Sequence, residues 1–306
     1  MNIIKSADKM FRRLSPVGKA LIALILVLIL ITIFRKRGVE GFETSEKFTF
    51  VEDIYDPFYS EIYDSLVFNG FKNEYEVGQI INSTSPSSHS IILDLGCGTG
   101  HHVHAFNMAG YETIGMDNSQ AMITRAKKQY PNYNFVLGDM LDTSNFQPSS
   151  FTHILCLYFT IYYIKNKALF FDNCYYWLKA GGYLVVHIVN RDMFDPIIPP
   201  ANPLVMVSPQ KYAKKRITTS KVKFEKFDYF SNFALNQSDN TAVFTEKFKN
   251  KNNDKTFRMQ EHTMYMESEE DILTLARNAG FIVQGKIDLV RVTYEYQYLY
   301  IFVKPE

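Results

Sequence analysis

Three carboxylates and one cluster of glycines carry most of the chemistry legible in this sequence. The stretch Leu93-Asp94-Leu95-Gly96-Cys97-Gly98-Thr99-Gly100 follows the β-rich apolar approach Ser90-Ile91-Ile92 and precedes a helical pattern from His101 through Ala109. The unit reads strand, glycine turn, helix. Glycine lets a backbone turn sharply and come close to a ligand, because no Cβ intervenes. The helix start then points free N–H groups at the bound molecule. A second acid, Asp117, ends the run Tyr111–Met116 and lies 23 positions after Asp94. At a strand tip its two oxygens can accept from two hydroxyls at once, as the acid about 20 residues on does in dinucleotide folds. The third acid, Asp139, follows Asn134-Phe135-Val136-Leu137 in the sequence Gly138-Asp139-Met140. Any one of these acids alone reads as a loop residue. Three of them, each ending a strand beside one glycine turn, form a specific constellation.

The dinucleotide fingerprint G-x-G-x-x-G/A fails here, because its last position falls on His101. The observed spacing, Gly96-x-Gly98-x-Gly100 with Asp94 at the strand end, resembles motif I of the class I S-adenosylmethionine (SAM)-dependent methyltransferases. The resemblance covers residues 50–306, interrupted by one insertion. It implies SAM as the cofactor, with Gly96, Gly98 and Gly100 forming the turn that receives it. It implies Asp94 for the ammonium of the methionine moiety and Asp117 with Asn118 for the ribose. Asp139 and Met140 then fall at the adenine, with Leu157 beside them at the end of the fourth strand. Tyr55–Leu66 resembles the helix that precedes motif I in many small members and closes over the cofactor. Tyr63 is the residue there expected to touch SAM; core packing is its other reading.

The elements that position these residues alternate strand and helix, the pattern of a parallel sheet with crossover helices. Pro57 suits a first helical turn, and Phe58, Ile62 and Leu66 share one face. A second helix is predicted over 74–81. After Asp117, Asn118 or Ser119 caps a helix to about Gln129. Phe151–Leu157 is the fourth strand, and the aromatic run Tyr158–Tyr163 follows it at the ligand edge. Phe170, Cys174, Trp177 and Leu178 mark the next helix, which Gly181-Gly182 should end. Tyr183–Val189 is the fifth strand. From 190 to 266 the alternation stops. Strand-like runs Val222–Phe230, Val243–Phe248 and Arg258–Met266, with a hairpin tip at 249–255, predict an antiparallel β lid. Ser268 and Asp271 resemble a capping box, and Phe281–Ile287 and Gln297–Val303 supply the last two strands. The expected fold is α/β: a doubly wound, seven-stranded, mostly parallel sheet with a β lid inserted after the fifth strand.

A general base is harder to find. His187, near the exit of the fifth strand, and Tyr162 are weak candidates, and a buried structural histidine is the competing reading of His187. A base is needed only where the acceptor carries a proton, as a phenol or an ammonium does. His101-His102-x-His104 invites a metal, but no third ligand lies near in sequence, and none is expected.

Charge and hydropathy set the surroundings. The 306 residues carry a net +1, which hides an asymmetry. Residues 1–37 hold eight Lys or Arg against one Asp, a surplus of +7, and leave the remainder at −6. A mildly acidic main part disfavours nucleic acid as partner. The basic residues flank an uncharged run, Ala20–Phe34. As a helix its 15 residues span about 22 Å, short of a bilayer core of about 30 Å unless Val17 onward is included. The sequence thus predicts a basic segment 1–19, a single transmembrane helix 20–34, a linker 35–48 and a methyltransferase-like domain 49–306 with its lid at 190–266. Five basic residues before the run and three after it give a weak orientation signal. Three unpaired cysteines, Cys97, Cys156 and Cys174, favour a domain facing the cytoplasm. The expected substrate is a small or lipid-like molecule. The competing expectations are a non-catalytic methyltransferase-like membrane protein and an RNA methyltransferase.

Overall fold

The computed structural model describes residues 49–51, 54–196, 213 and 215–306. Thr44–Glu306 forms one compact unit. The run 20–34 lies outside the described residues. Among the described residues no helix is long and apolar enough to cross a membrane.

The main sheet has seven strands. Four short ones are β2 (Ile91–Leu95), β3 (Glu112–Asp117), β4 (Asn134–Leu137) and β5 (Phe151–Cys156). They are joined by β6 (Leu178–Val189), β11 (Ile282–Asp288) and β12 (Gln297–Val303). Their order is β11-β12-β6-β5-β2-β3-β4, with β2 to β6 parallel and the last two strands antiparallel. The chain winds from β2 towards β4, then crosses back to β5 on the other side of β2. That reversal opens a crevice at the C-terminal end of β2, where open α/β sheets bind ligands. The central strands are covered on both faces: Leu93, Ile154, Leu155, Val185 and Val186 are all fully enclosed.

Helix α1 (Pro57–Val67) starts as predicted, with Pro57 in its first turn and the Asp56 carboxylate accepting from the Tyr59 amide at 2.9 Å. Helix α2 (Gly70–Thr84) is longer than the predicted 74–81, because Asn69 caps it by accepting from Lys72 N. Helices α3 (His101–Met108) and α4 (Gln120–Gln129, capped by Ser119) pack on β3, α4 also on β4. Helix α5 (Lys167–Trp177) ends four residues before Gly181, so the glycine pair does not stop it. Gly181-Gly182 lies inside β6 instead. A Cβ on Gly182 would stand 2.8 Å from the Lys179 carbonyl and 3.0 Å from that of Thr152, so glycine lets the two strands close at a register shift. Helix α6 (Glu269–Asn278) carries the Ser268–Asp271 capping box.

The lid is a five-stranded sheet in the order β1-β10-β9-β8-β7. Its strands are β1 (Thr49–Val51), β7 (Thr219–Lys223), β8 (Phe227–Asn236), β9 (Thr241–Asn250) and β10 (Thr256–Tyr265). Two features depart from the sequence reading. The run Val222–Phe230 is two strands, since the chain reverses at Phe224–Lys226, where Phe224 N donates to Phe227 O. And β1, from the start of the domain, pairs in parallel with β10 some two hundred residues later. The lid shares a core with the main sheet: Phe233, Ala242, Met264 and Met266 pack in one cluster with Ile161 and Ile188.

Candidate functional site

The glycine turn stands at the tip of β2. The Gly96 and Cys97 amides both donate to Met116 O, which fastens the turn to β3. Gly96, Gly98 and Gly100 all take positive φ, 70°, 53° and 87°, a region that L side chains avoid. Each meets a different neighbour. A Cβ on Gly96 would lie 2.5 Å from Thr160 Cγ2, and one on Gly100 would lie 2.7 Å from the Phe135 ring. Around Gly98 only Tyr63 comes within 4 Å, at 3.8 Å, so a Cβ there would project into open space beside that ring.

That open space is a cavity of about 570 Å³, within the size range of small-molecule sites. One wall is the sheet edge, with Gly96, Gly98, Asp117, Asn118, Asp139 and Met140. Asp117 accepts from Gly98 N and Ser119 N, both at 2.9 Å. Burial raises its pKa, against the pull of those amides. Asp139 is exposed at the rim, and its Oδ1 accepts from Leu141 N. Helix α1 lies over the turn. Thr99 Oγ1 donates to Asp64 at 2.6 Å, and Ser119 Oγ donates to the Tyr55 carbonyl at 2.6 Å. These bonds bring Tyr55, Tyr59 and Tyr63 to the cavity.

The opposite wall belongs to the lid: Phe233 of β8, Phe244 of β9, and His262, Met264 and Tyr265 of β10. Tyr158, Phe159 and Tyr163, from the loop after β5, close the space between the walls. Tyr158 takes φ +54°, a left-handed conformation uncommon for a tyrosine. Behind the lid wall lies Glu246, fully enclosed. It accepts from Tyr59 Oη (2.9 Å), Tyr229 Oη (2.6 Å) and Gln260 Nε2 (2.5 Å), and is bonded to His262 Nε2 at 2.6 Å. Burial works to raise its pKa, but His262 and these donors outweigh burial and hold it below the usual carboxylate value.

Residues 92–182 match the family profile described as a methyltransferase domain. The fold is that of the class I SAM-dependent methyltransferases. Among curated relatives, a Streptomyces venezuelae dTDP-3-amino-3,4,6-trideoxy-α-D-glucopyranose N,N-dimethyltransferase is 27% identical over 145 residues, 44% of this chain and 58% of that one. A Saccharopolyspora spinosa dTDP-4-amino-2,3,4,6-tetradeoxy-D-glucose N,N-dimethyltransferase is 29% identical over 126 residues, covering 40% and 49%. The chain thus spans about half the length of these relatives. In fold, it is similar to a SAM-dependent methyltransferase of Clostridium acetobutylicum (TM-score 0.62, 17% identity, 81% of this chain and 98% of that one). It is also similar to a sugar N-methyltransferase of Streptoalloteichus (TM-score 0.59, 20% identity, 87% and 98%).

SAM is the cofactor of this domain class, and the residues present suit it. The methyltransferase turn offers a cradle at Gly98 that a side chain would fill. Asp94, enclosed behind the turn, leaves Oδ2 without a hydrogen-bond partner, and burial raises its pKa to about 7. A cationic ligand at this sheet edge would favour its charged form. The acids Asp117 and Asp139 stand at successive strand ends along the same wall.

Other residues singled out from the sequence sit elsewhere. Asp94, Gly100 and Leu157 lie behind the cavity wall and do not line it. Tyr162 is fully buried, and its hydroxyl accepts from Val189 N at 2.8 Å, a structural role. His187 is also fully buried, between Tyr158 and Phe159, and burial with the nearby Lys72 charge lowers its pKa to about 3. Neither lines the cavity. His101 stacks on Phe68, with Nδ1 on the Tyr130 hydroxyl, while His104 stacks on Tyr130 and His102 pairs with Glu76. Among the described residues no group of three or more His, Cys, Asp or Glu is placed to hold a metal. The residues that sequence reasoning missed are Tyr55, Tyr59, Phe244 and His262. Their only signal was aromatic content in segments otherwise read as helix and lid.

Proposed function

We propose that this chain transfers a methyl group from SAM to a small-molecule acceptor bound in the cavity, and that the acceptor presents an amine. One observation carries the reading: Gly96 and Gly98 of the turn, with Asp117 and Asp139, line the same cavity as the aromatic residues of the lid. When bound, SAM supplies a methyl already activated on a sulfonium. The chain then has to align the acceptor, which is worth about 7–11 kcal/mol in such reactions, and to keep water out. The lining residues Asp117, Asp139 and Asp195 outnumber Lys165. That charge suits a cationic group on the acceptor. Tyrosine and phenylalanine faces add cation–π attraction for an ammonium. The relatives that act on amino sugars support the amine.

The same reading takes the run 20–34 as a single-pass anchor, holding the domain on the cytoplasmic side where SAM is made. The uncharged run and its basic flanks support this. The test incubates the full chain with methyl-labelled SAM and a cell extract. Label is expected in the small-molecule or organic-extractable fraction, as N-methyl groups. Label chiefly in RNA or DNA would replace this reading with a nucleic-acid methyltransferase. SAM binding with label in no fraction would favour a non-catalytic module.

A further inference from the structure

The lid delivers a chain of hydrogen-bonded groups into the cavity. Glu246 is buried and accepts at both oxygens. An ionised carboxylate only accepts, so Nε2 of His262 must be the donor in their 2.6 Å bond. In the neutral tautomer that donates from Nε2, the lone pair is on Nδ1. Nδ1 lies 2.8 Å from the Tyr163 hydroxyl, which donates to it in that tautomer. The Tyr55 ring packs edge-on against that of Tyr163, with 6.1 Å between centroids. The rings of Tyr163 and His262 both line the cavity.

We propose that Tyr163 is the proton acceptor for the methyl acceptor's amine, with His262 and Glu246 as the positioning residues that make it one. This rests on the amine reading above. The proton balance is complete within the chain. An N–H bond of the bound ammonium breaks, its electron pair stays on nitrogen, and an O–H bond forms at Tyr163. The proton Tyr163 already carried passes to Nδ1 of His262. The positive charge moves from the ammonium to the imidazolium, beside the Glu246 carboxylate, and leaves to water after turnover. No tyrosinate persists, so the high pKa that burial gives Tyr163 is no obstacle. The ionisable groups facing the pair are Tyr55, Tyr59, Tyr63, Tyr158 and Glu246, with Tyr229 on the far side of Glu246. Arg258 reaches the cluster through Gln260. Of these, the Glu246 carboxylate is the one bonded to His262.

The experiment uses the full chain, methyl-labelled SAM and two amine probes, dTDP-3-amino-3,4,6-trideoxy-α-D-glucopyranose and phenethylamine. Tyr163→Phe should lower turnover on the order of a hundredfold near pH 7, the usual worth of general base catalysis. The deficit should shrink as pH rises towards the amine's own pKa, where free amine no longer needs the relay. His262→Gln should behave alike. Nitrogen NMR of histidine-labelled protein gives a readout that does not depend on turnover. His262 should show a protonated Nε2 and an accepting Nδ1, and Tyr163→Phe should shift only Nδ1. A deficit that stays constant with pH, turnover within threefold of the parent, or a protonated Nδ1 would overturn the relay. Loss of SAM binding in Tyr163→Phe would also overturn it, because the tyrosine would then belong to the cofactor site. If the parent binds SAM but methylates neither amine, the amine reading falls and the relay with it.

Discussion

Asp94→Asn is expected to stabilise the ligand-free protein at alkaline pH, and the effect can be sized. The folded chain raises the Asp94 pKa from 3.8 to about 7, chiefly by burial, with the charges of Asp117 and Glu76 adding to it and His102 opposing. The folded pKa lies above the unfolded one. Between the two, the folded state keeps a proton that the unfolded chain has lost. Stability is therefore full below pH 4, falls as pH rises to about 7, and stays low above that. At 1.36 kcal/mol per unit, the three-unit shift corresponds to about 4 kcal/mol. Asparagine is neutral at every pH and escapes this penalty. Its buried amide has its own cost, which does not vary with pH and cancels between measurements. Urea unfolding of parent and variant at pH 5 and pH 8 isolates the term. The variant's advantage should grow by about 2.5 kcal/mol between them. An advantage that is flat across pH, or that grows towards acid, would refute an uncompensated charge at Asp94. The same variant should bind SAM more weakly, because it loses the carboxylate charge that a cationic ligand at this sheet edge favours. Site and stability would then make opposite demands on one residue.

Two further substitutions probe the turn. Asp117→Ala removes the acceptor for Gly98 N and Ser119 N and should weaken SAM binding by about 1.5–3 kcal/mol in a calorimetric titration. Gly96→Ala drives a methyl to 2.5 Å from Thr160 Cγ2 at φ +70° and should cost more than the 1–2 kcal/mol of the backbone conformation alone. Adding Thr160→Ala should recover the steric part and leave the conformational part, as read by denaturant midpoints.

Residues near one another in the chain determined the Rossmann-like half of this protein. Apolar runs with no polar face must be covered on both sides, so the central strands β2, β5 and β6 are legible from their composition, and the alternation of strand and helix places β3 and β4 beside them. Asp94-Leu95-Gly96-Cys97-Gly98 has little choice but to turn where it does, since only glycine takes those φ angles freely. Asp56, Ser119 and Ser268 cap helices through bonds spanning three residues. The site's other half was not legible, because its partners are far apart in sequence. Tyr59 meets Glu246 across 187 positions, and Tyr163 meets His262 across 99. The pairing of β1 with β10 leaves no local pattern at either end. His187, a weak base candidate at the exit of a central strand, is instead the buried histidine of its competing reading, for burial removes its charge, and the lid presents His262. Periodicity and turn chemistry act over a few residues, so the sequence alone determined the cradle for the cofactor. What stands opposite that cradle depends on how a separate sheet folds back over it, and only the tertiary structure decided that.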